Sequence, residues 1–331
     1  MTPHGSAVSG RAPLVLLVAG AAVIALLSFA LAGCDESPLT IPGTPARVQW
    51  TRITDTTSVR DPYYPEWRGD RIAFERLDSA LVSTVFVKFF RLCVAGEDGT
   101  NPTFLPGEGF SYDSFPRWVD DSTLVMSSTR SGNYDTWYLT IPTGAARRLT
   151  DFVGSEFFPV PRPGRPAIAF VTGTAPRMGR IALIPDTAAV PLAPIFLTAD
   201  TLQAGEPDWD PAGERVCFSA LGPGGSRHIW AFSMTDTVPH QLTTGGIHDV
   251  TPRWSPDGTK ILFSSDRNGR SGVWYVDPAG EASGLELISF EDRGAEIYSP
   301  SWSPDGTRIV LSSNGRYRGQ RAIWVLSNLG F

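Results

Sequence analysis

The sequence contains one segment that occurs twice in nearly the same form, TPRWSPDGTKILFSS at residues 251–265 and SPSWSPDGTRIVLSS at residues 299–313. Each copy has Pro, one variable residue and Trp, followed by Ser-Pro-Asp-Gly and an apolar run. In a tight turn Pro sets φ, Asp accepts hydrogen bonds through its side chain, and Gly takes the positive φ. The segment therefore predicts two short strands joined by a tight turn.

Four weaker copies precede the two strong ones, and the six copies recur at intervals of 43 to 51 residues. The residue at the Trp position of each copy is its anchor, and the anchors are Trp67, Trp118, Pro161, Trp209, Trp254 and Trp302. Two further short strands follow each hairpin, for example GVWYV from Gly272 and LELIS from Leu285. A repeat of this length with four short strands is typical of a β-propeller blade.

The fold class predicted from these repeats is all-β, a six-bladed β-propeller of four-stranded antiparallel blades. The strand after each turn is apolar on both faces, as a sheet packed between two others requires. Because one blade cannot bury both of its faces alone, neighbouring blades must stack in a ring. No window holds an apolar stripe at helical spacing for three turns without Gly or Pro, so we expect no helix. The alternative is a set of unrelated hairpins in a β-sandwich.

The two ends of the repeat region predict how the ring closes. Residues 47–54, RVQWTRIT, match the end of the second unit at residues 148–151, RLTD, but no blade precedes them. The last unit has only three strands, the third being AIWVL from Ala322. We therefore expect residues 47–54 to be the outermost strand of the last blade, an arrangement that removes the free edges of the array.

The Pro-x-Trp-Ser-Pro-Asp-Gly core with a trailing Leu-Thr resembles the TolB-type propeller repeat. The resemblance extends over residues 46–327 and is strongest in the last two units. In TolB the propeller engages a peptidoglycan-associated lipoprotein at the cell envelope, so the resemblance implies an envelope protein that binds a partner. The chain departs from TolB in having a lipoprotein signal and in lacking a separate N-terminal domain, which indicates a relative of the repeat family and not TolB itself.

Residues 1–33 are predicted to be a lipoprotein signal peptide. A long apolar run ends in Leu-Ala-Gly-Cys at residues 31–34, which looks like the lipobox of bacterial lipoproteins. Small residues ahead of the Cys suit the signal peptidase, and the thiol of Cys34 would take the diacylglycerol. A plain transmembrane anchor is the alternative, because the apolar run is long enough to span a bilayer.

The rest of the chain is predicted to have two parts. Residues 34–45 are polar and rich in Pro, which favours a flexible tether starting at the lipidated Cys34. Residues 46–331 hold the six units and are expected to form one propeller without a second domain.

Several functional classes find no support in the sequence. It has neither a Gly-x-Ser-x-Gly nucleophile motif nor Cys and His at metal-binding spacing. With 28 Lys and Arg against 34 Asp and Glu the net charge is −6, and no basic tract indicates nucleic acid binding. We therefore expect no cofactor and no protein metal site, while a cation at the channel mouth is compatible with the acidic residues there.

The residues that point to a binding face stand just ahead of the innermost strands. Carboxylates occur five or six residues before five of the six anchors, at Asp61, Asp113, Glu156, Asp249 and Glu296. The loops between second and third strands open on the same face and contribute Arg130, Arg267 and Arg316. Two interpretations are open: the acids cap turns and pair with the arginines, or the face recognises a peptide, a protein or a cation. Tyrosines near these loops, Tyr63 and Tyr112 among them, would add contacts favoured at interfaces.

Taken together, these features favour a lipid-anchored, monomeric propeller that binds an envelope protein or peptide and does not catalyse a reaction. We expect it on the periplasmic or outer-surface side of the envelope, with membrane contact through the lipid on Cys34. The alternative is a carbohydrate-processing enzyme of the lyase type, with a polar or metal site at the channel mouth.

Overall fold

The computed structural model describes residues 48–54, 59–175, 178–188, 193–245, 248–290, 294–315 and 320–330. These residues form six four-stranded antiparallel sheets arranged as a ring. The innermost strand of each sheet contacts that of the next, and the sixth contacts the first. The one helix among the described residues is a three-residue 3-10 turn, Asp200–Leu202. The prediction of an all-β, six-bladed propeller is confirmed.

Within each blade the strands succeed one another from the axis outward. Blade one contains β2 Tyr63–Arg68, β3 Arg71–Val82, β4 Val85–Gly96 and β5 Thr103–Phe104. Blade two contains β6 Asp113–Asp120, β7 Thr123–Ser128, β8 Asp135–Thr140 and β9 Ala146–Arg148. Blade three contains β10 Ser155–Pro161, β11 Ile168–Ala175, β12 Met178–Ile184 and β13 Ile195–Phe196. Blade four contains β14 Gly205–Trp209, β15 Arg215–Leu221, β16 Arg227–Ser233 and β17 Asp236–Gln241. Blade five contains β18 Asp249–Trp254, β19 Ile261–Ser265, β20 Gly272–Val276 and β21 Leu285–Phe290. Blade six contains β22 Ile297–Trp302, β23 Ile309–Ser313, β24 Ala322–Ser327 and, outermost, β1 Gln49–Arg52.

The antiparallel order gives the ring two distinct faces. All innermost strands begin on one face, and the connections between second and third strands lie there too, so we call it the loop face. The tight turns between first and second strands lie on the opposite face, which we call the turn face. The sequence placed its candidate binding residues on the loop face.

The anchor tryptophans act as wedges between blades. Each is nearly buried, and four of them lie under an arginine from the preceding blade, with the guanidinium carbon 4.3–4.9 Å from the ring centroid. These pairs are Arg308 on Trp67, Arg71 on Trp118, Arg162 on Trp209 and Arg215 on Trp254. A cation over an aromatic face adds attraction to the burial of the ring. The same kind of pair thus joins blade six to one, one to two, three to four and four to five.

Strand β1 closes the ring as predicted. It pairs antiparallel with β24, with Trp50 opposite Leu326, and the ring of Trp50 packs edge-on against Trp324 at 6.1 Å. Just beyond the strand, the hydroxyl of Thr54 accepts a hydrogen bond of 2.9 Å from the backbone N–H of Ile323.

The Thr54 contact is a repeated feature of the blades. The hydroxyls of Thr150, Thr198 and Thr243 accept the equivalent 2.9 Å bonds from Thr136, Ile181 and Ile229 on the third strands of their own blades. The N-terminal strand therefore takes the place of the fourth strand in blade six, and Thr54 after it makes the same hydrogen bond as the threonines of blades two, three and four.

Every innermost strand carries a bulge at the same position, three residues before the anchor. At each bulge the register shifts and a residue other than Gly has a φ between 49° and 57°; these residues are Tyr64, Phe115, Phe158, Glu206, Thr251 and Ser299. A Pro follows each of them. Pro suits this strand because the axial side of the sheet is an edge, where no ladder partner needs an N–H. Blade three has the same bulge, although its anchor is Pro161.

Blade one departs from the others in the length of its two middle strands. The residues that follow Leu77 extend β3 and β4 to 12 residues each. The two strands stay paired up to Val82 and Val85 and turn through Ser83, which has a φ of 58°. A positive φ in a two-residue turn matches the twist of a hairpin. The result is a long hairpin that extends the sheet at the loop face.

The predicted signal peptide, Cys34 and the predicted tether lie outside the described residues. Within those residues, no helix has the length and apolar character needed to cross a membrane.

Closure by β1 can be tested with two deletions. Removing residues 35–54 deletes β1 with the tether, whereas removing residues 35–45 leaves β1 in place. The longer deletion exposes the ladder of β24 and the ring of Trp324, so we expect it to lower the free energy of unfolding by about 3–5 kcal/mol and to promote aggregation. The shorter deletion should leave stability unchanged. Equal melting temperatures for the two variants would show that β1 does not hold the ring closed.

Candidate functional site

Asp113, one of the predicted site residues, is buried at the start of β6. Its carboxylate accepts hydrogen bonds from the hydroxyl of Ser128 at 2.6 Å and from two nitrogens of Arg130 at 2.9 and 3.1 Å. The side chain of Arg130 is itself only 2% exposed. The pair of predicted residues Asp113 and Arg130 thus forms a buried, charge-assisted contact within blade two.

Asp249 makes the corresponding contacts in blade five. It is fully buried and accepts hydrogen bonds from Ser265 at 2.6 Å and Arg267 at 2.8 Å within the blade. A third bond, 2.6 Å long, comes from the hydroxyl of Thr243, which lies two residues after β17, the outer strand of blade four. Asp249 therefore joins two blades, and its partner Arg267 also pairs with Glu281 at 2.9 Å.

Glu156 is the third buried carboxylate of this set. Its Oε2 accepts hydrogen bonds from the backbone N–H and hydroxyl of Thr136, at 3.0 and 2.7 Å, and from the hydroxyl of Thr150. All of these donors belong to threonines of blade two, and none is an arginine. Burial raises the pKa of Glu156 to about 7, against the opposing effect of the threonine hydrogen bonds.

Asp61 and Glu296 differ from these three because they stand six residues before their anchors and not five. In a strand, a shift of one residue moves a side chain to the opposite face. The five-residue position is held in these blades by Pro62 and by the buried Ile297. Accordingly Asp61 is exposed, and the exposed carboxylate of Glu296 pairs with Arg321 at 3.2 Å.

Arg316, the last of the predicted residues, lies outside the described residues. For the other seven, the contacts divide the set into an internal group and an exposed pair. Asp113, Glu156, Asp249, Arg130 and Arg267 bond to their own and adjacent blades, while Asp61 and Glu296 face solvent. The recognition role of the face stays a prediction.

A strip of aromatic side chains lies beside the exposed pair at the loop face. Tyr112, Phe90, Tyr63 and Tyr298 follow one another across blades two, one and six, with successive ring centroids 5.9–6.3 Å apart. The guanidinium of Arg321 lies over the rings of Tyr63 and Tyr298, at 4.3 and 4.6 Å. Tyrosine next to arginine is the composition favoured at protein interfaces.

The central channel contains a second group of charged residues, which was not predicted from the sequence. They occupy the variable position of Pro-x-Trp, directly before the anchor, where innermost strands face the axis. Arg117 of blade two pairs with Glu66 of blade one at 3.0 Å and with Asp208 of blade four. Burial alone would lower the pKa of Arg117, but the attraction of Glu66 and Asp208 outweighs it and raises the pKa. The sequence feature that could have predicted this group is the presence of acidic and basic residues in turn directly before the anchors of different blades.

The loop-face side of the channel is filled by aromatic rings. Tyr64, Phe115 and Phe158, three of the bulge residues, pack against one another with centroids 4.2–5.8 Å apart. The cavity between these rings and the charged residues is about 10 Å³, too small for more than one water. On the turn-face side the channel opens into a depression of about 430 Å³.

Metal binding finds no ready site in the part of the chain that is described. No group of three or more His, Cys, Asp or Glu residues there is arranged to hold a metal ion.

Comparison with known proteins identifies the repeat. Residues 197–327 match the family model described as the TolB beta propeller domain. A protein described as a TolB homolog from Chlorobium luteolum is 27% identical over 162 residues, which are 49% of this chain. The match covers 35% of that relative, so the chain spans little more than a third of its length. The repeat is therefore of the TolB type, as the sequence predicted, and the low identity is consistent with a protein other than TolB itself.

Solved structures share the architecture. TolB from Acinetobacter baumannii superposes with a TM-score of 0.58 at 19% identity, covering 79% of this chain and 65% of that one. An oligogalacturonate lyase from Vibrio parahaemolyticus superposes with a TM-score of 0.53 at 14% identity, covering 85% and 93% of the two chains. At these identities the likeness shows the propeller fold alone.

The raised pKa of Glu156 predicts how stability depends on pH. The folded protein keeps this proton up to a pH of about 7, whereas the unfolded chain releases it near the ordinary value of 4.5. Between these values the folded state binds more protons, so its stability is fully present below pH 4.5 and falls as pH rises through 7. The loss should reach about 3 kcal/mol.

The variant Glu156→Gln should remove most of this slope, because Gln keeps an acceptor oxygen but does not ionise. Chemical denaturation at pH 5 and pH 8 measures the difference. Glu108→Gln, which changes a carboxylate that is 69% exposed, is the matched control and should keep the wild-type slope. Parallel pH profiles for wild type and Glu156→Gln would contradict the assignment.

Proposed function

We propose that this chain is a lipid-anchored propeller of the cell envelope that binds a protein or peptide through its loop face. The proposal combines three supports: the TolB-type repeat, the lipobox that ends at Cys34, and the surface chemistry of the loop face.

The long hairpin of blade one is the observation that carries the proposal. Its tip exposes four large apolar side chains, Leu81 at 60%, Val82 at 40%, Val85 at 63% and Phe86 at 70%. Two of them lie on each side of the hairpin, since Leu81 pairs with Phe86 and Val82 with Val85. Large exposed apolar side chains grouped in this way mark an interaction site, because leaving them in water costs free energy.

The base of the hairpin connects this tip to the aromatic strip. Phe90 of β4 contacts both Tyr63 and Tyr112, with ring centroids 6.3 and 5.9 Å away. The exposed acids Asp61 and Glu296 stand beside the strip. A partner that contacts the hairpin tip would therefore meet an apolar anchor, then tyrosines, then a charged rim, which is the usual anatomy of a protein interface.

The position of β1 is compatible with tethering. This strand starts at the turn face, because it is antiparallel to β24 and occupies the outermost place of its blade. The described part of the chain therefore begins at the turn face, on the side opposite the face proposed for the partner.

The binding role can be tested with Leu81→Ser combined with Phe86→Ser. Both side chains are mostly exposed, so stability should change by less than about 0.5 kcal/mol. The measurement is a quantitative pull-down of envelope proteins from membranes. The amount of the specific partner recovered with the variant should be at least tenfold lower than with the wild type. The control is Ile195→Ser with Phe196→Ser, an apolar pair on the outer strand of blade three that is 51% and 48% exposed.

An unchanged set of recovered proteins with the hairpin variant would overturn the proposal for this face. Turnover of an acidic oligosaccharide by the purified protein, with no partner recovered, would instead support the carbohydrate-processing alternative.

The lipid anchor has its own test. Cys34→Ser removes the thiol that would receive the diacylglycerol, so we expect no incorporation of labelled fatty acid and a precursor that keeps its signal peptide. The measurement is metabolic labelling with a palmitate analogue, followed by mass determination. Mature, labelled protein with Ser at position 34 would show that the lipobox interpretation is wrong.

A further inference from the structure

The channel contains a buried arginine that lacks an acidic partner. Arg253 is 8% exposed and occupies the position directly before the anchor of blade five. Among the described residues its guanidinium forms no ion pair and one hydrogen bond, from Nη1 to the carbonyl of the adjacent Pro252 at 2.8 Å. Its Nε is buried without a partner. Such a group is costly, because water has been removed from the charge and no carboxylate has replaced it.

The neighbouring carboxylates do not neutralise Arg253 because they are committed elsewhere. Asp208, from the adjacent blade, pairs with Arg117 and accepts the backbone N–H of Trp254 at 2.8 Å. Glu66 pairs with Arg117 as well. Arg117 occupies the same repeat position as Arg253 but has two acidic partners, so the lack of a partner is particular to Arg253.

A third carboxylate, Glu206, is also occupied. Its Oε2 accepts hydrogen bonds from the hydroxyl of Ser219 and the backbone N–H of Thr251, both at 2.8 Å. Burial together with the repulsion of Arg117 lowers the pKa of Arg253, against the attraction of the three acids.

Arg253 borders the open depression on the turn face. This depression has a volume of about 430 Å³, within the range of small-molecule sites. The anchor tryptophans Trp67, Trp254 and Trp302 line its wall. Trp302 fixes the backbone of Arg253, since its Nε1 donates to the Arg253 carbonyl at 3.3 Å. The arginine is thus held in place at the floor of a cavity with aromatic walls.

We propose that this depression binds a small organic ligand through a single carboxylate group, with the guanidinium of Arg253 as the principal contact. The planar fork of an arginine matches a carboxylate in two parallel hydrogen bonds. The ligand would supply the anionic partner that Arg253 lacks within the protein.

The remaining lining selects against a polyanion. It carries three acids, Glu66, Asp121 and Asp208, and two further arginines, Arg68 and Arg117. Arg68 pairs with Asp121 at 2.7 Å, and Arg117 pairs with the other two acids. A second negative group on the ligand would meet these carboxylates and find no free cation, so a monocarboxylate with a polar or cationic remainder fits best.

The test uses the full-length protein in detergent, titrated with acetate, glycylglycine or citrate at constant ionic strength against sodium chloride. Tryptophan fluorescence reports binding, because three tryptophans line the cavity, and thermal unfolding reports stabilisation. We expect saturable binding of acetate and, more tightly, of glycylglycine, with citrate weaker than glycylglycine.

Arg253→Met should raise the half-saturating concentration at least tenfold, and Arg253→Lys, which keeps the charge but loses the fork, should be intermediate. Arg165→Met, a change at a side chain that is 56% exposed on blade three, is the control and should bind like wild type. Without ligand, Arg253→Met should melt at or above the wild-type temperature, because it removes an unpaired buried charge. A purely structural role for Arg253 predicts a lower temperature.

Two results would overturn the proposal: no saturable response of the wild type to either monocarboxylate, or an equal response of Arg253→Met. If Arg253→Met does not fold, the Arg253→Lys titration decides, since unchanged affinity there would exclude recognition by the fork. The loop-face proposal is independent of each of these outcomes, because its variants lie on the hairpin of blade one.

Discussion

A ring of stacked sheets holds together only if its last sheet is complete, and here the four residues of β1 complete it. The strand brings Trp50 against Trp324 and Thr54 to the backbone of Ile323, so blade six has the same outer hydrogen bond as blades two, three and four. Without it, blade six would have three strands where the other blades have four, and the ladder of β24 would be an open edge. Both faces of the propeller, and every contact across its channel, depend on this join.

Closure also sets what the axis can contain. Six innermost strands converge there, and their side chains fill the channel unequally along its length. Aromatic bulge residues fill the loop-face half, while the half towards the turn face holds Glu66, Arg117, Asp208 and Arg253. Charge enclosed in this way is expensive unless it is paired. Among the described residues, this pairing leaves the guanidinium of Arg253 without a carboxylate partner, next to the open depression. In this respect the channel differs from the paired contacts between blades.

The fold could be predicted almost completely from the sequence, because it follows from a repeat whose spacing, turns and strand count are local properties. The missing fourth strand and the orphan strand at residues 47–54 were enough to place β1. The candidate site was harder. Whether a carboxylate ahead of the innermost strand is buried or exposed depends on one residue of register, which separates Asp249 from Glu296. The charges of the channel come from blades far apart in sequence, so the Arg117–Asp208 contact has no local signature.

The bulge of the innermost strand has a consequence for how such proteins diverge. Its left-handed backbone is imposed by the register of the strand and not by the residue, since Tyr, Phe, Glu, Thr and Ser all adopt it here at a cost of about 1 kcal/mol or more each. The backbone conformation at the bulge therefore does not depend on which side chain is present there. A substitution at any of these six places exchanges one inward-facing group for another while the bulge itself remains. The scaffold can thus acquire a new channel chemistry at these positions, provided that the replacement packs among the buried side chains around it.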